Sequence, residues 1–183
     1  MRESALTEET DVYGAAKGQM RLFERLLAVI PGFRGYKEKE IRRESDRLIR
    51  NHLYLKLTKA RTDYKTVFQK MSDRRQLDVF TDMDRVAAKF DRAAERVNHA
   101  SYGYSGFFDV VKVQEAALDR MISFDSKLVD RVSEIAAEVD AFKAEVLKQQ
   151  FDNASDHTQK LAELLDAFDE TFDGREEVIK GAS

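Results

Sequence analysis

Residues 111–146 read VKVQEAALDRMISFDSKLVDRVSEIAAEVDAFKAEV, and the fold turns on how this stretch is spaced. Val111, Gln114, Leu118, Met121, Asp125, Leu128, Val132, Ile135, Val139, Phe142 and Val146 recur at alternating steps of three and four, and only Gln114 and Asp125 among them are polar. That period draws one apolar stripe along one side of an α-helix, in the manner of a coiled-coil seam. At 1.5 Å rise per residue, such a helix reaches roughly 60 Å. Compact globules seldom hold one that long.

Upstream, the chain from Lys37 to about Met71 contains neither glycine nor proline, and Leu53, Leu57, Ala60, Tyr64, Val67 and Met71 repeat the same spacing. The seam loses phase at Arg74 and Arg75, then resumes at Leu77, Phe80, Val86, Phe90, Ala94 and Val97. A turn near Ser72 and Asp73, with Asp73 and Gln76 as a capping box, accounts for the slip; one continuous helix to about residue 100 is the alternative. A first helix places Met20, Phe23, Leu26, Leu27 and Ile30 on one face and stops at Pro31 and Gly32. A last helix is marked by His157, Leu161, Leu164, Phe168 and Phe172 before Gly174. No segment alternates apolar and polar residues long enough for a strand.

These elements predict an all-α fold: an elongated antiparallel helical bundle of about five helices with coiled-coil-like long members. The expected layout is a flexible arm at 1–13, a single bundle domain at 14–173 and a frayed tail at 174–183. In 183 residues, charged side chains make up 36% and the apolar set 43%, a mixture suited to helices with one buried stripe and a wide solvated face.

Net charge is only -3, too small to imply a nucleic-acid partner. Its distribution is uneven. Residues 37–65 carry ten Lys/Arg against five Asp/Glu, and residues 134–183 carry five against thirteen. With no cysteine the chain has neither disulfides nor thiolate metal sites, which suits the cytoplasm. The opening MRESALTEETDVYG is polar, and no apolar run nears the roughly 18 residues of a membrane span. A cytoplasmic protein, peripheral at a membrane at most, is expected.

Catalytic and cofactor patterns are weak. Carboxylate-bridged metal sites in bundles use Glu-x-x-His pairs, yet Ile49, Arg96 and Ala154 stand three before His52, His99 and His157. Glu95 and His99 share a face, too few ligands for a metal on their own. His157 lies on an apolar seam, the usual place of a boundary histidine. Asp169 to Gly174, DETFDG, opens like a calcium loop but has Lys180 at the twelfth position. Neither a nucleophile elbow nor a phosphate-binding loop is present. No catalytic residue, metal ligand or cofactor site is assigned, and the chain is read as non-enzymatic.

Interaction features are stronger. GFRGY at 32–36 and GYSGF at 103–107 repeat glycine, aromatic, any residue, glycine, aromatic. If the chain turns near Ser72, both loops lie at one end of the rod. Their aromatics either plug that end or form an exposed patch of partner anchors. Arg43, Arg47, Arg50, Tyr54, Thr58, Arg61 and Lys65 form a basic stripe on the second helix, and Glu163, Asp166, Glu170 and Asp173 an acidic one on the last. Such stripes steer helix pairing within the chain or between copies.

The expected interaction residues are therefore Phe33, Tyr36, Tyr104, Phe107 and Phe108 as anchors, with Arg43, Arg47 and Arg50 as electrostatic guides. The leading function is a helical scaffold or adaptor that meets a protein partner or self-associates. One alternative is a peripheral protein holding anionic lipid by the amphipathic first helix, where Lys17, Arg21 and Arg25 oppose the apolar face. A metal-dependent bundle enzyme is the other.

Overall fold

Leu53, Leu57, Ala60, Tyr64, Val67 and Met71 are all buried, so the seam read from the sequence is the inner edge of a helix. The computed structural model describes residues 18, 20–36, 38–75, 77–100 and 115–181. It contains α1 (20–29), α2 (Lys39–Asp73), a 3-10 turn (Leu77–Val79), α3 (Phe80–His99), α4 (Glu115–Leu147) and α5 (Ala154–Gly181). No strand occurs among the described residues, and none of their helices is long and apolar enough to cross a membrane. The arm at 1–13 and the GYSGF loop, with Tyr104, Phe107 and Phe108, lie outside the described residues.

The chain does reverse between the second and third helices, slightly later than expected. α2 ends at Asp73, and Arg75 takes the left-handed conformation at φ 57°. Asp73 closes α2 and accepts the Gln69 amide at 2.9 Å. The 3-10 turn then leads into α3, whose N-cap is Val79. Beyond this turn, Phe80 stacks on Phe68 at 5.4 Å, Phe90 packs against Tyr64 at 5.5 Å, and the Tyr64 hydroxyl donates to the Met83 carbonyl at 3.0 Å. α2 and α3 are therefore an antiparallel hairpin.

α4 and α5 form the second hairpin, with Glu138 beside His157 near their connection and Asp125 beside Arg175 far from it. The two hairpins lie side by side: α2 packs on α3 and α4, and α5 packs on α3 and α4. α2 and α5 are thus diagonal. Ion pairs of Asp63 with Lys143 and of Lys89 with Asp166 show that the side-by-side neighbours α2/α4 and α3/α5 run parallel. Leu128, Val132, Ile135, Val139, Phe142 and Val146 of α4 meet Leu161, Leu165, Phe168 and Phe172 of α5 in one continuous core.

α5 departs from the sequence reading. Gly174 does not end it; the helix continues to Gly181, burying Arg175 and Ile179, so residues 174–181 are part of the bundle and not a frayed tail. Glycine inside a helix costs about 1 kcal/mol relative to alanine, and here a packing need offsets that cost. A Cβ on Gly174 would stand 2.7 Å from the Phe124 ring of α4, too close for any larger residue without movement.

At the opposite end from the Arg75 turn, the GFRGY loop joins α1 to α2. Gly32 and Gly35 have φ of 82° and 85°, a region open to glycine and strained for other residues. A Cβ at Gly35 would also approach the Phe23 ring to 2.7 Å. Gly35→Ala is expected to lower stability by about 2 kcal/mol in urea unfolding, from backbone strain plus overpacking.

Candidate interaction surfaces and a buried charge centre

The two glycines turn the loop back over the end of the bundle, and this decides what its aromatics do. Phe33 and Tyr36 are buried. Their rings pack edge to face at 5.8 Å, and Phe33 meets Phe23 of α1 at 5.9 Å. A partner anchor must be reachable by the partner, so Phe33 and Tyr36 are plugs of the core and not exposed anchors. α1 divides its apolar face between core and solvent: Leu26 and Ile30 are buried and Arg25 is ion-paired with Asp130 of α4, while Met20, Leu27 and the neighbouring Val29 are exposed.

Beneath the plug lies a charge centre built by three helices and the loop. The first turns of α2 aim Arg42, Ser45 and Asp46 inward, and all three are buried. They answer the backbone of the loop above: Arg42 Nε donates to the Tyr36 carbonyl at 2.8 Å and Ser45 Oγ to the Gly35 carbonyl at 2.8 Å. Arg175 crosses the bundle diagonal from α5. Its Nε donates to Asp125 Oδ1 of α4 at 2.7 Å and its Nη2 to Asp46 Oδ1 at 2.8 Å. Arg50 Nε donates to the second oxygen of Asp46 at 2.8 Å. The Tyr36 hydroxyl lies 3.5 Å from Arg175 Nη2.

Burial governs the ionisation of this cluster. It disfavours the Arg175 charge, but Asp125 and Asp46 outweigh it and hold the guanidinium protonated well above its ordinary range. For Asp125 burial wins, raising the carboxyl above the usual carboxylate range despite Arg175. Burial and the Asp125 charge likewise push the Tyr36 phenol well up, and burial raises Tyr64.

A phenol raised in the folded state keeps its proton while the unfolded chain ionises near pH about 10. Stability is therefore intact below about pH 10 and falls above it, by up to about 1.4 kcal/mol per pH unit for each phenol. Urea midpoints at alkaline pH should show this decline, and Tyr36→Phe should remove one phenol's share of the slope.

The basic stripe of α2 is exposed at its start and spent further along. Arg43 and Arg47 are exposed, and Arg50 is partly buried beside Asp46. Arg47, with 68% of its side chain in solvent, pairs with Glu44 one turn away, a contact worth at most about 1 kcal/mol. Arg47 and Arg50 line a surface groove of about 160 Å³ with Asn51, Tyr54, Val97 and Asn98. One side chain beside it escaped the sequence reading. Leu55 is 58% exposed, four residues after Asn51 and eight after Arg47, hence on their face. Its signal was present: between the seam residues Leu53 and Leu57 it is turned about 200° from each.

The acidic residues of α5 do not meet the basic stripe of α2, because those helices are diagonal. Asp166, Asp169 and Asp173 pair instead with Lys89, Arg92 and Arg96 of the neighbouring α3, while Arg61 of α2 pairs with Asp91 of α3. His157 sits at the core boundary, stacked on Phe142 at 4.8 Å with Nδ1 against Glu138. Lys160 reaches the other oxygen of Glu138 at 2.6 Å. The Glu95 and His99 side chains meet at 2.9 Å on the surface. Asp169 to Gly174 lies within α5 and forms no loop. Among the described residues, no three His, Cys, Asp or Glu side chains gather in a metal-binding group.

Compared with known proteins, the chain matches no family model, no curated protein and no solved structure.

Proposed function

We propose that the protein is a non-enzymatic helical scaffold or adaptor that binds a protein partner along the flank of α2. The observation that carries this reading is the cluster on one exposed face: Arg47 and Asn51 beside the groove and Leu55 one turn on, with Arg43 a turn before. An exposed leucine flanked by cations and amides supplies a desolvated anchor with a polar rim, the makeup of a protein contact. The aromatic plug holds α2 against its neighbours and Arg175 ties it across the bundle to α5, so the face is presented on an already folded helix, which keeps the ordering cost on binding small.

Affinity capture from cells that express the protein tests the reading, comparing the wild type with Arg47→Glu/Leu55→Asp. Both side chains are exposed, so the fold should shift by no more than about 0.5 kcal/mol per site. A set of proteins held by the wild type and reduced at least about tenfold by the variant supports the reading. An identical set with both would overturn it.

A further inference from the structure

The two ends of α2 and α4 differ, and the end at the Arg75 turn lies far from the aromatic plug. There a surface groove of about 330 Å³ is lined by Lys70, Asp73, Arg74, Val146, Leu147, Gln149 and Phe151. Leu147 is 57% exposed. Lys70, Arg74, Arg75 and Lys148 are exposed around it, and no ion pair engages them among the described residues. The helix C-termini at this end carry partial negative charge, which these cations exceed.

Along its own exposed side, α5 turns a second row of acids to solvent. Asp156, Glu163, Glu170 and Glu177 follow one another every seven residues and are all exposed. A spacing of seven keeps them on one side of the helix about 10 Å apart, drifting by only about 20° per step. This row is distinct from Asp166, Asp169 and Asp173, which α3 neutralises. None of its four members forms an ion pair among the described residues; Glu163 accepts only the Gln159 amide.

One molecule thus carries a groove in which Lys70 and Arg74 outnumber Asp73 and an acidic row along α5, and among the described residues no ion pair engages those cations or that row. A second copy brings the missing partner to each. We propose that the protein self-associates head to tail, the acidic row of α5 in one copy seating on the leucine-centred basic groove of the next. The inference deepens the scaffold reading, and rests on it, by naming a second copy of this chain as a partner. Leu147 supplies the desolvated centre of the contact and the cations its rim. Because the two surfaces differ, the contact is heterologous and repeats into chains of copies instead of closing as a symmetric pair.

Sedimentation velocity on the purified chain tests this, from about 1 μM to about 1 mM in about 50 mM and about 500 mM salt. Concentration-dependent association is expected at low salt and should weaken at least about tenfold at high salt. Lys70→Glu/Arg74→Glu has acids on both surfaces, and Glu163→Lys/Glu170→Lys has cations on both, so each alone should sediment as a monomer. Mixed in equal amounts they should associate, since each then finds its opposite. Leu147→Asp should also be monomeric, with an unchanged far-ultraviolet circular dichroism spectrum confirming its fold.

A wild type that stays monomeric throughout, or a charge-reversed variant that associates alone as the wild type does, would overturn the inference. These variants leave the Arg47 and Leu55 face intact, so capture of another protein there succeeds or fails separately.

Discussion

Arg175→Ala is expected to destabilise the protein by about 3–5 kcal/mol, the largest effect of any single charged side chain in the molecule. The reason is what it leaves behind. Asp125 is fully buried and loses the Nε donor 2.7 Å away, while Asp46 keeps only Arg50. Chemical unfolding measures the loss directly, and a chain of this size should show a thermal midpoint lower by about 10 °C. The same reasoning sets a control with the opposite sign of surprise. Arg175→Met/Asp125→Leu removes one cation and one anion together and leaves the Arg50 and Asp46 pair balanced. Since burial already raises the Asp125 carboxyl and Arg175 Nη1 has no hydrogen-bond partner, the native pair is not an optimal one. The apolar pair should come within about 1 kcal/mol of the wild type or exceed it. What the charges contribute is register: apolar residues can slide along a seam, whereas Arg175 fits only where Asp125 and Asp46 converge.

Phe33→Ala is expected to cost about 3–5 kcal/mol as well, by opening a cavity between Phe23 and Tyr36. The size of this effect separates a plug from an anchor. An exposed anchor loses partner binding on truncation while stability holds; a plug loses stability first. Arg47→Ala is the reference, since its exposed pair with Glu44 should shift unfolding by less than about 0.5 kcal/mol. Equal small effects at Phe33 and Arg47 would mean that the loop does not seal the bundle.

Much of the architecture was legible because apolar period reports directly on a buried stripe. The seam residues of α2 and α4, and those of α3 from Val86 onward, lie inside, and the phase slip at Arg74 and Arg75 marked a real reversal, since a left-handed residue there resets which side of the chain faces the core. Charged interiors are less legible, because a count of apolar positions passes over them. Asp125 was visible as a polar member of an otherwise apolar seam, yet its partner could not be read: Arg175 stands just beyond Gly174, which looks like a helix stop until Phe124 is seen packing against it. The inward turn of Arg42, Ser45 and Asp46 was hidden for a related reason. Arg42 and Ser45 hold the carbonyls of Tyr36 and Gly35, a need that exists only once the loop has folded back, and Asp46 answers Arg175, which arrives from the far end of the chain.

The interaction residues divided along the same line. Arg43 and Arg47 kept the exposure that their stripe implied, because the buried Asp46 is engaged by Arg50 and Arg175. Phe33 and Tyr36 moved inward, since glycine on both sides lets the loop choose the direction that buries its rings. Leu55 went unnoticed because the leucines two residues away on either side satisfied the seam.

Hydroxyl-radical footprinting of the dilute protein, read by mass spectrometry, tests most directly whether the loop end is sealed. Phe33 and Tyr36 should resist modification until the protein unfolds globally, while Met20, Leu55 and Leu147, all exposed, are modified in the native state. Phe33 and Tyr36 labelled in the native protein alongside Met20 would contradict it.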